Sequence, residues 1–137
     1  MNSLEPRLRA SDTEKITINL GPVDLGQIDL LVQEGFYSNR TDLIRTAIRN
    51  QINTHADIVR QTVARRQLVL GLQHFTKAQL EAVRDAGQSL QIQVLGMATI
   101  ALDVTPELAR ETIDSITVLG ALHASSAVKA ALADRIR

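Results

Sequence analysis

One six-residue segment near the start restricts the possible folds more than any other. Lys15-Ile16-Thr17-Ile18-Asn19-Leu20 alternates strictly between polar and apolar residues, which is the period of a strand with one buried face. Helical patterns follow it, so both of its edges would carry unsatisfied N–H and C=O groups. No second strand of matching type lies nearby in the sequence. The simplest remedy is the same strand from a second chain, paired antiparallel about a two-fold axis. Ile16, Ile18 and Leu20 then turn inward, and Lys15, Thr17 and Asn19 line an outer face that the symmetry doubles.

The next forty residues read as helices. Gly21-Pro22 stops the strand and puts proline in a first helical turn. Asp24 suits the positive end of the helix dipole. Leu25, Ile28, Leu31 and Val32 form the apolar stripe, and Gly35 is placed for a left-handed C-cap. Ser38 or Asn39 caps the following helix, with Asp42 as the capping-box partner of Asn39. Leu43, Ile44, Ala47, Ile48 and Ile52 give its buried side. Ala56, Val59 and Val63 prolong the period, so this helix either runs to about Arg66 or restarts at Thr54 with Asp57 behind it. Residues 1–13 are polar and read as a tail. Arg7 and Arg9 could make that tail a basic arm, but Glu5 and Asp12 offset them.

The outer face of the paired strand carries the first chemistry. A two-stranded ribbon fits the DNA major groove, where Lys donates to guanine, Asn pairs with adenine and Thr offers a hydroxyl and a methyl. An amphipathic strand whose polar face only meets water has the same pattern. Bulk charge does not decide between them, since fifteen Lys+Arg balance fifteen Asp+Glu, and the case for DNA has to be local. The few aromatics, Phe36, Tyr37 and Phe75, do not suit a stacking surface for single strands. With no cysteine there is no disulfide, thiolate ligand or thiol nucleophile. The N-terminus lacks an apolar signal-like core and no run is long enough to span a bilayer. The expectation is a soluble cytoplasmic protein with no membrane partner.

Taken together, KITINL, a helix begun by proline, and GFYSNRTDLIRTAIRNQI resemble the ribbon-helix-helix regulators of the MetJ, Arc and CopG type. The likeness runs from Glu14 to Ile52. Tyr37 to Arg45 is similar to the second-helix start of the nickel-responsive members. The resemblance implies a homodimer on double-stranded DNA, with Lys15, Thr17 and Asn19 at the base-reading positions. It implies phosphate contacts at the start of the second helix, from Ser38, Asn39 and Arg40. The second helices pack across the dimer, so Ile44 and Ile48 join Ile16, Ile18 and Leu20 in its core. The turn Gly35-Phe36-Tyr37-Ser38 is one residue longer than in close relatives, which leaves the clamp open between Ser38 and Asn39. Helix N-termini bind phosphate through free N–H groups without side-chain charge, so a chain of balanced charge can still hold DNA, with a modest salt dependence. For Arg45 and Arg49 a solvated helix face or an ion pair within the dimer is expected.

From Leu68 the texture changes. Val69-Leu70-Gly71-Leu72, Val94-Leu95-Gly96-Met97 and Val118-Leu119-Gly120-Ala121 recur about 25 residues apart, inside the roughly 20–29-residue period of short α/β repeats. Each precedes a helical stretch: one opened by Thr76 with Gln79 as a capping box, one by Thr105-Pro106, and one by Ser125 or Ser126 that continues to the C-terminus. The pattern is either a true repeat or a chance recurrence in an ordinary α/β fold. The repeat predicts a small parallel sheet, one strand per unit, backed by helices. Its strands are apolar on both faces, as in a sheet covered on both sides. The last strand would then leave an edge at Ile116, Val118, Gly120 and Leu122, through which dimers assemble into tetramers or longer arrays.

The expected class is therefore α+β: a tail over 1–13, a dimeric ribbon-helix-helix module over 14–66, and a solenoid-like α/β repeat over 67–137 for assembly or regulation. His55, His74 and His123 lie at no metal-ligand spacing, and the His/Cys cluster of nickel-responsive relatives is missing, so neither a metal nor a cofactor is expected. No catalytic fingerprint is present, and no enzyme is expected. The leading expectation is a sequence-specific transcriptional regulator acting as a repressor. An antitoxin that represses its own operon is one alternative, although a long apolar repeat is unlike the short polar tails of such proteins. A DNA-binding structural polymer is the other.

Overall fold

The computed structural model describes residues 13–137. The basic arm of Arg7 and Arg9, and the tail except for Thr13, lie outside the described residues. The chain forms two compact units that divide between Gln61 and Thr62.

In the first unit, residues 13–20 belong to no helix and pair with no strand of the same chain among the described residues. Helix α1 (Pro22–Gln33) starts with Gly21 at the N-cap and proline in its first turn. It ends as the glycine predicts. Gly35 has a φ of 84°, its N–H donates to the Val32 carbonyl at 3.1 Å, and that of Phe36 donates to Leu31 at 3.0 Å. Those two bonds make a Schellman motif, which a left-handed residue at that position completes. Helix α2 (Arg40–Thr54) is capped by Asn39. The period carries on, but the helix does not. At His55 the N–H donates to the Ile52 carbonyl at 3.0 Å, and α3 (Ala56–Arg65) begins just beyond. Of the two readings of this stretch, the break is the one adopted, with Asp57 in the first turn of α3.

No residue of Thr13–Gln61 is buried within the single chain. Ile16 and Ile18 are 74% and 57% exposed, and Val23, Leu30, Ile48 and Ile52 are exposed as well. The apolar stripes of α1 and α2 are formed, but they enclose no core of their own.

The second unit has a core. Strands β1 (Val69–Phe75), β2 (Leu90–Ile100) and β3 (Ile113–His123) form one parallel sheet in sequence order. Helix α4 (Lys77–Asp85) follows β1, α5 (Pro106–Thr112) follows β2, and α6 (Ser126–Ala131) follows β3. The three V-L-G triplets stack in register: Val69, Val94 and Val118 are aligned, then the three leucines, then Gly71, Gly96 and Gly120. Thr76, Thr105 and Ser125 are the helix caps, each accepting from the N–H three residues on, and Thr76 with Gln79 completes the capping box. Leu80, Leu108, Ala109 and Val128 from the helices meet Ile92, Val94, Ala98, Ile100 and Ile116 from the sheet.

Two details differ from the sequence reading. First, the helices cover one face of the sheet only. Leu70, Leu72 and Leu119, on the alternate side of the pleat, stay exposed. Strands apolar on both sides do not by themselves say whether their own chain supplies both covers. Second, α6 stops at Ala131 instead of reaching the C-terminus. The chain turns back, and Ile136 forms a parallel bridge with Ile116. The Ile116 N–H donates to the Arg135 carbonyl at 3.0 Å, and the Arg137 N–H donates to that of Ile116 at 2.9 Å. The predicted open edge is therefore closed at Ile116, whose side chain is buried. Arginines hold this turn: Arg110 forks onto Asp134 at 2.8 and 3.2 Å, and Arg135 donates to the Ile113 carbonyl at 2.8 Å. Helix α3 ends near the expected Arg66, in a Schellman turn without glycine, with Gln67 at a φ of 54°.

Candidate nucleic-acid interface

Lys15, Thr17 and Asn19 are all exposed, as are Ile16, Ile18 and Leu20 on the alternate positions. Pro22 and the helix it begins put a firm boundary just after this segment.

The start of α2 is built in more detail. The Asn39 side chain accepts from the Asp42 N–H at 2.8 Å, and the Asp42 carboxylate accepts from the Ser38 N–H at 3.0 Å. Half of the expected capping box therefore forms: Asn39 caps the helix, but Asp42 reaches back to Ser38 and not to the Asn39 N–H that a capping box uses. The cap is Asn39, so the first free turn begins with the N–H of Arg40. The Arg40 guanidinium turns away from that terminus. It forks onto Asp29 of α1 at 2.8 and 2.9 Å and ties the two helices together. The hydrogen bond from Arg40 holds the Asp29 carboxyl below its ordinary value, and the nearby positive charge adds to this. Arg45 and Arg49 are exposed and make no salt bridge among the described residues.

The structure also gathers a group that spacing along the chain conceals. His74, Thr99 and His123 stand side by side across the sheet. With Ala101, Leu102, Asp103, Ala124 and Lys129 they line an open cleft of about 700 Å³ beyond the C-terminal ends of the strands. The repeat contains the signal, since each of the three lies three residues after its glycine. No group of three or more His, Cys, Asp or Glu side chains suited to a metal occurs among the described residues.

Comparison with known proteins decides the family. The profile of the Ribbon-Helix-Helix transcriptional regulator family matches residues 11–129. The chain belongs to that family. No curated protein and no solved structure matches it. The family match reaches well past the Glu14–Ile52 likeness and takes in the β-α half up to Lys129, so the two units belong to one family pattern. Ribbon-helix-helix regulators bind DNA, generally as dimers. No helix among the described residues is long and apolar enough to cross a membrane.

Proposed function

We propose that this regulator is a repressor that reads the major groove with an antiparallel ribbon formed by residues 15–20 of two chains. One observation carries the reading: the first unit has two complete helices and an amphipathic strand sequence, yet none of its residues is fully buried in the single chain. Leaving a large aliphatic side chain in water forgoes about 1.5–3 kcal/mol. Ile16, Ile18, Leu20, Ile44 and Ile48 in two copies supply the shared core that one copy lacks. Pairing the strands then leaves Lys15, Thr17 and Asn19 facing outward toward base edges.

The start of α2 meets phosphate in this reading, and the geometry refines the role of each residue. Arg40 contributes its main-chain N–H, because its guanidinium is engaged by Asp29. Asn39 sets the helix start. The Ser38 N–H reaches phosphate only when it leaves the Asp42 carboxylate. The three β-α units act as a short solenoid that joins dimers into tetramers or larger assemblies through the part of the β3 edge beyond the tail, at Val118, Gly120 and Leu122.

Selection of bound sequences from a random DNA pool tests the reading and gives the half-site spacing. Thr17→Ala and Asn19→Ala should each weaken specific binding by about 1–3 kcal/mol per contacted base, with melting unchanged. A melting loss in either variant would show that these side chains face inward. No enrichment of any sequence would remove the reading.

A further inference from the structure

The glycine row gives the second unit two unlike ends. Gly71, Gly96 and Gly120 have φ values of 128°, 140° and 124° in mid-strand. A Cβ added at Gly120 would stand 2.0 Å from the Gly96 carbonyl oxygen, and one added at Gly96 would stand 2.1 Å from that of Gly71. Each glycine α-carbon therefore lies directly against the carbonyl of the glycine one strand earlier. A Cβ added at Gly71 meets nothing within 4 Å, because among the described residues no strand pairs with the other edge of β1. By the same repeat, the Gly120 carbonyl faces the side of β3 where no further strand lies among the described residues. One end of the sheet thus presents the bare α-carbon of the contact and the other presents the carbonyl.

We propose that copies of this chain join head to tail. The β1 edge of one copy adds in parallel to the β3 edge of the next, with Val69, Leu70 and Gly71 opposite Val118, Leu119 and Gly120. The occupant of each edge is a second copy because the junction repeats the β1–β2 and β2–β3 pairings in the same register. Like edges do not match: two β1 edges bring together α-carbons with no carbonyl to meet, and two β3 edges oppose carbonyls. The apolar row supports the same pairing. Leu95, flanked by Leu70 and Leu119, is half-buried, whereas Leu70 and Leu119 have one such neighbour each and are 67% and 44% exposed. The junction would give both of them a second. The tail bridge lies at Ile116, two residues before this register begins. A junction of unlike surfaces closes into a ring or continues as a filament. This deepens the assembly part of the proposed function and rests on it, while the DNA part stands or falls separately.

The test is sedimentation velocity of the full chain over a wide concentration series without DNA. Leu70→Glu and Leu119→Lys, alone and combined, are compared with the parent, and circular dichroism confirms that each folds. The parent should grow past the dimer as concentration rises. Each single variant should lose that growth while still binding DNA as a dimer. The double variant, whose introduced carboxylate and ammonium meet only across a head-to-tail junction, should recover it. Three results overturn the proposal: a parent that stays at one size, single variants that grow like the parent, or a double variant no better than the singles. The last would point to a junction of like edges. Loss of DNA binding in the parent with growth intact would overturn only the DNA reading.

Discussion

The glycine row makes a quantitative contrast between two chemically identical substitutions. Gly96→Ala and Gly71→Ala both place a methyl on backbone at positive φ, where a non-glycine residue costs on the order of 1–3 kcal/mol. At Gly71 that is the whole cost, since nothing lies within 4 Å of the new carbon. At Gly96 the methyl also arrives 2.1 Å from a main-chain oxygen, more than 1 Å inside ordinary contact, and a carbonyl fixed in a ladder cannot swing away. Relieving it means separating β1 from β2 or breaking their register. Overpacking of that kind adds roughly 1–3 kcal/mol or more. The total for Gly96→Ala is then roughly 2–6 kcal/mol. A unit of this size is stable by only about 4–11 kcal/mol, at roughly 0.05–0.15 kcal/mol per residue. Urea unfolding of dilute full-length protein should show a clear but moderate loss for Gly71→Ala. For Gly96→Ala the second unit should unfold at much lower denaturant or have no folded baseline. Equal losses at the two sites, or a Gly96→Ala loss under about 1 kcal/mol, would refute the idea that strand-to-strand contact makes Gly96 obligatory.

Ile18→Asp should abolish the dimer, because pairing would bury an unpaired charge; size-exclusion with light scattering reads this directly, and a dimer that survives argues against the shared core. Gln67→Gly should raise stability by about 1 kcal/mol, since Gln67 occupies a left-handed position at which a side chain is penalised, and thermal melting checks it. Acid should weaken both units. Asp29 and Asp134 have their carboxyl values lowered by hydrogen bonds from Arg40 and Arg110. Each pair therefore contributes fully above the ordinary carboxyl value of 3.8 and loses its contribution as pH falls through the lowered folded value. Asp29→Asn and Asp134→Asn should each remove their pair's share of the acid dependence below pH 3.8.

Much of this architecture can be read from local chemistry. Pro22 and Gly35 delimit α1, and Asn39, Thr76, Thr105 and Ser125 mark later helix starts, because caps and left-handed positions act over three or four residues. The V-L-G spacing foretells the strand register for a similar reason: each unit must present the same atoms to its neighbour. Features that depend on partners far along the chain are harder to see. The period through Ala56, Val59 and Val63 suits one helix or two, and the His55 turn is decided by backbone geometry. Arg40 reads equally well as a phosphate ligand or as part of a solvated helix face, and its partner Asp29 emerges only in the fold. Ile136 has no pattern that announces its bridge to Ile116. The row of His74, Thr99 and His123 becomes visible only once the repeats are aligned. For the DNA-facing residues, the alternation from Lys15 to Leu20 predicts two faces, but a single chain contains only half of the ribbon that would use them.

The passage from α5 to β3 has its own mechanical meaning. Thr112 ends the helix and Ile113 begins the strand, with no intervening residue, while the buried Thr112 hydroxyl donates to the Leu108 carbonyl at 2.7 Å. Five residues separate β2 from α5 by contrast. There is no slack at the first of these joints. Sliding β3 along its axis would drag α5 with it or unravel its final turn, so a load on the outer strand passes directly into the layer behind it.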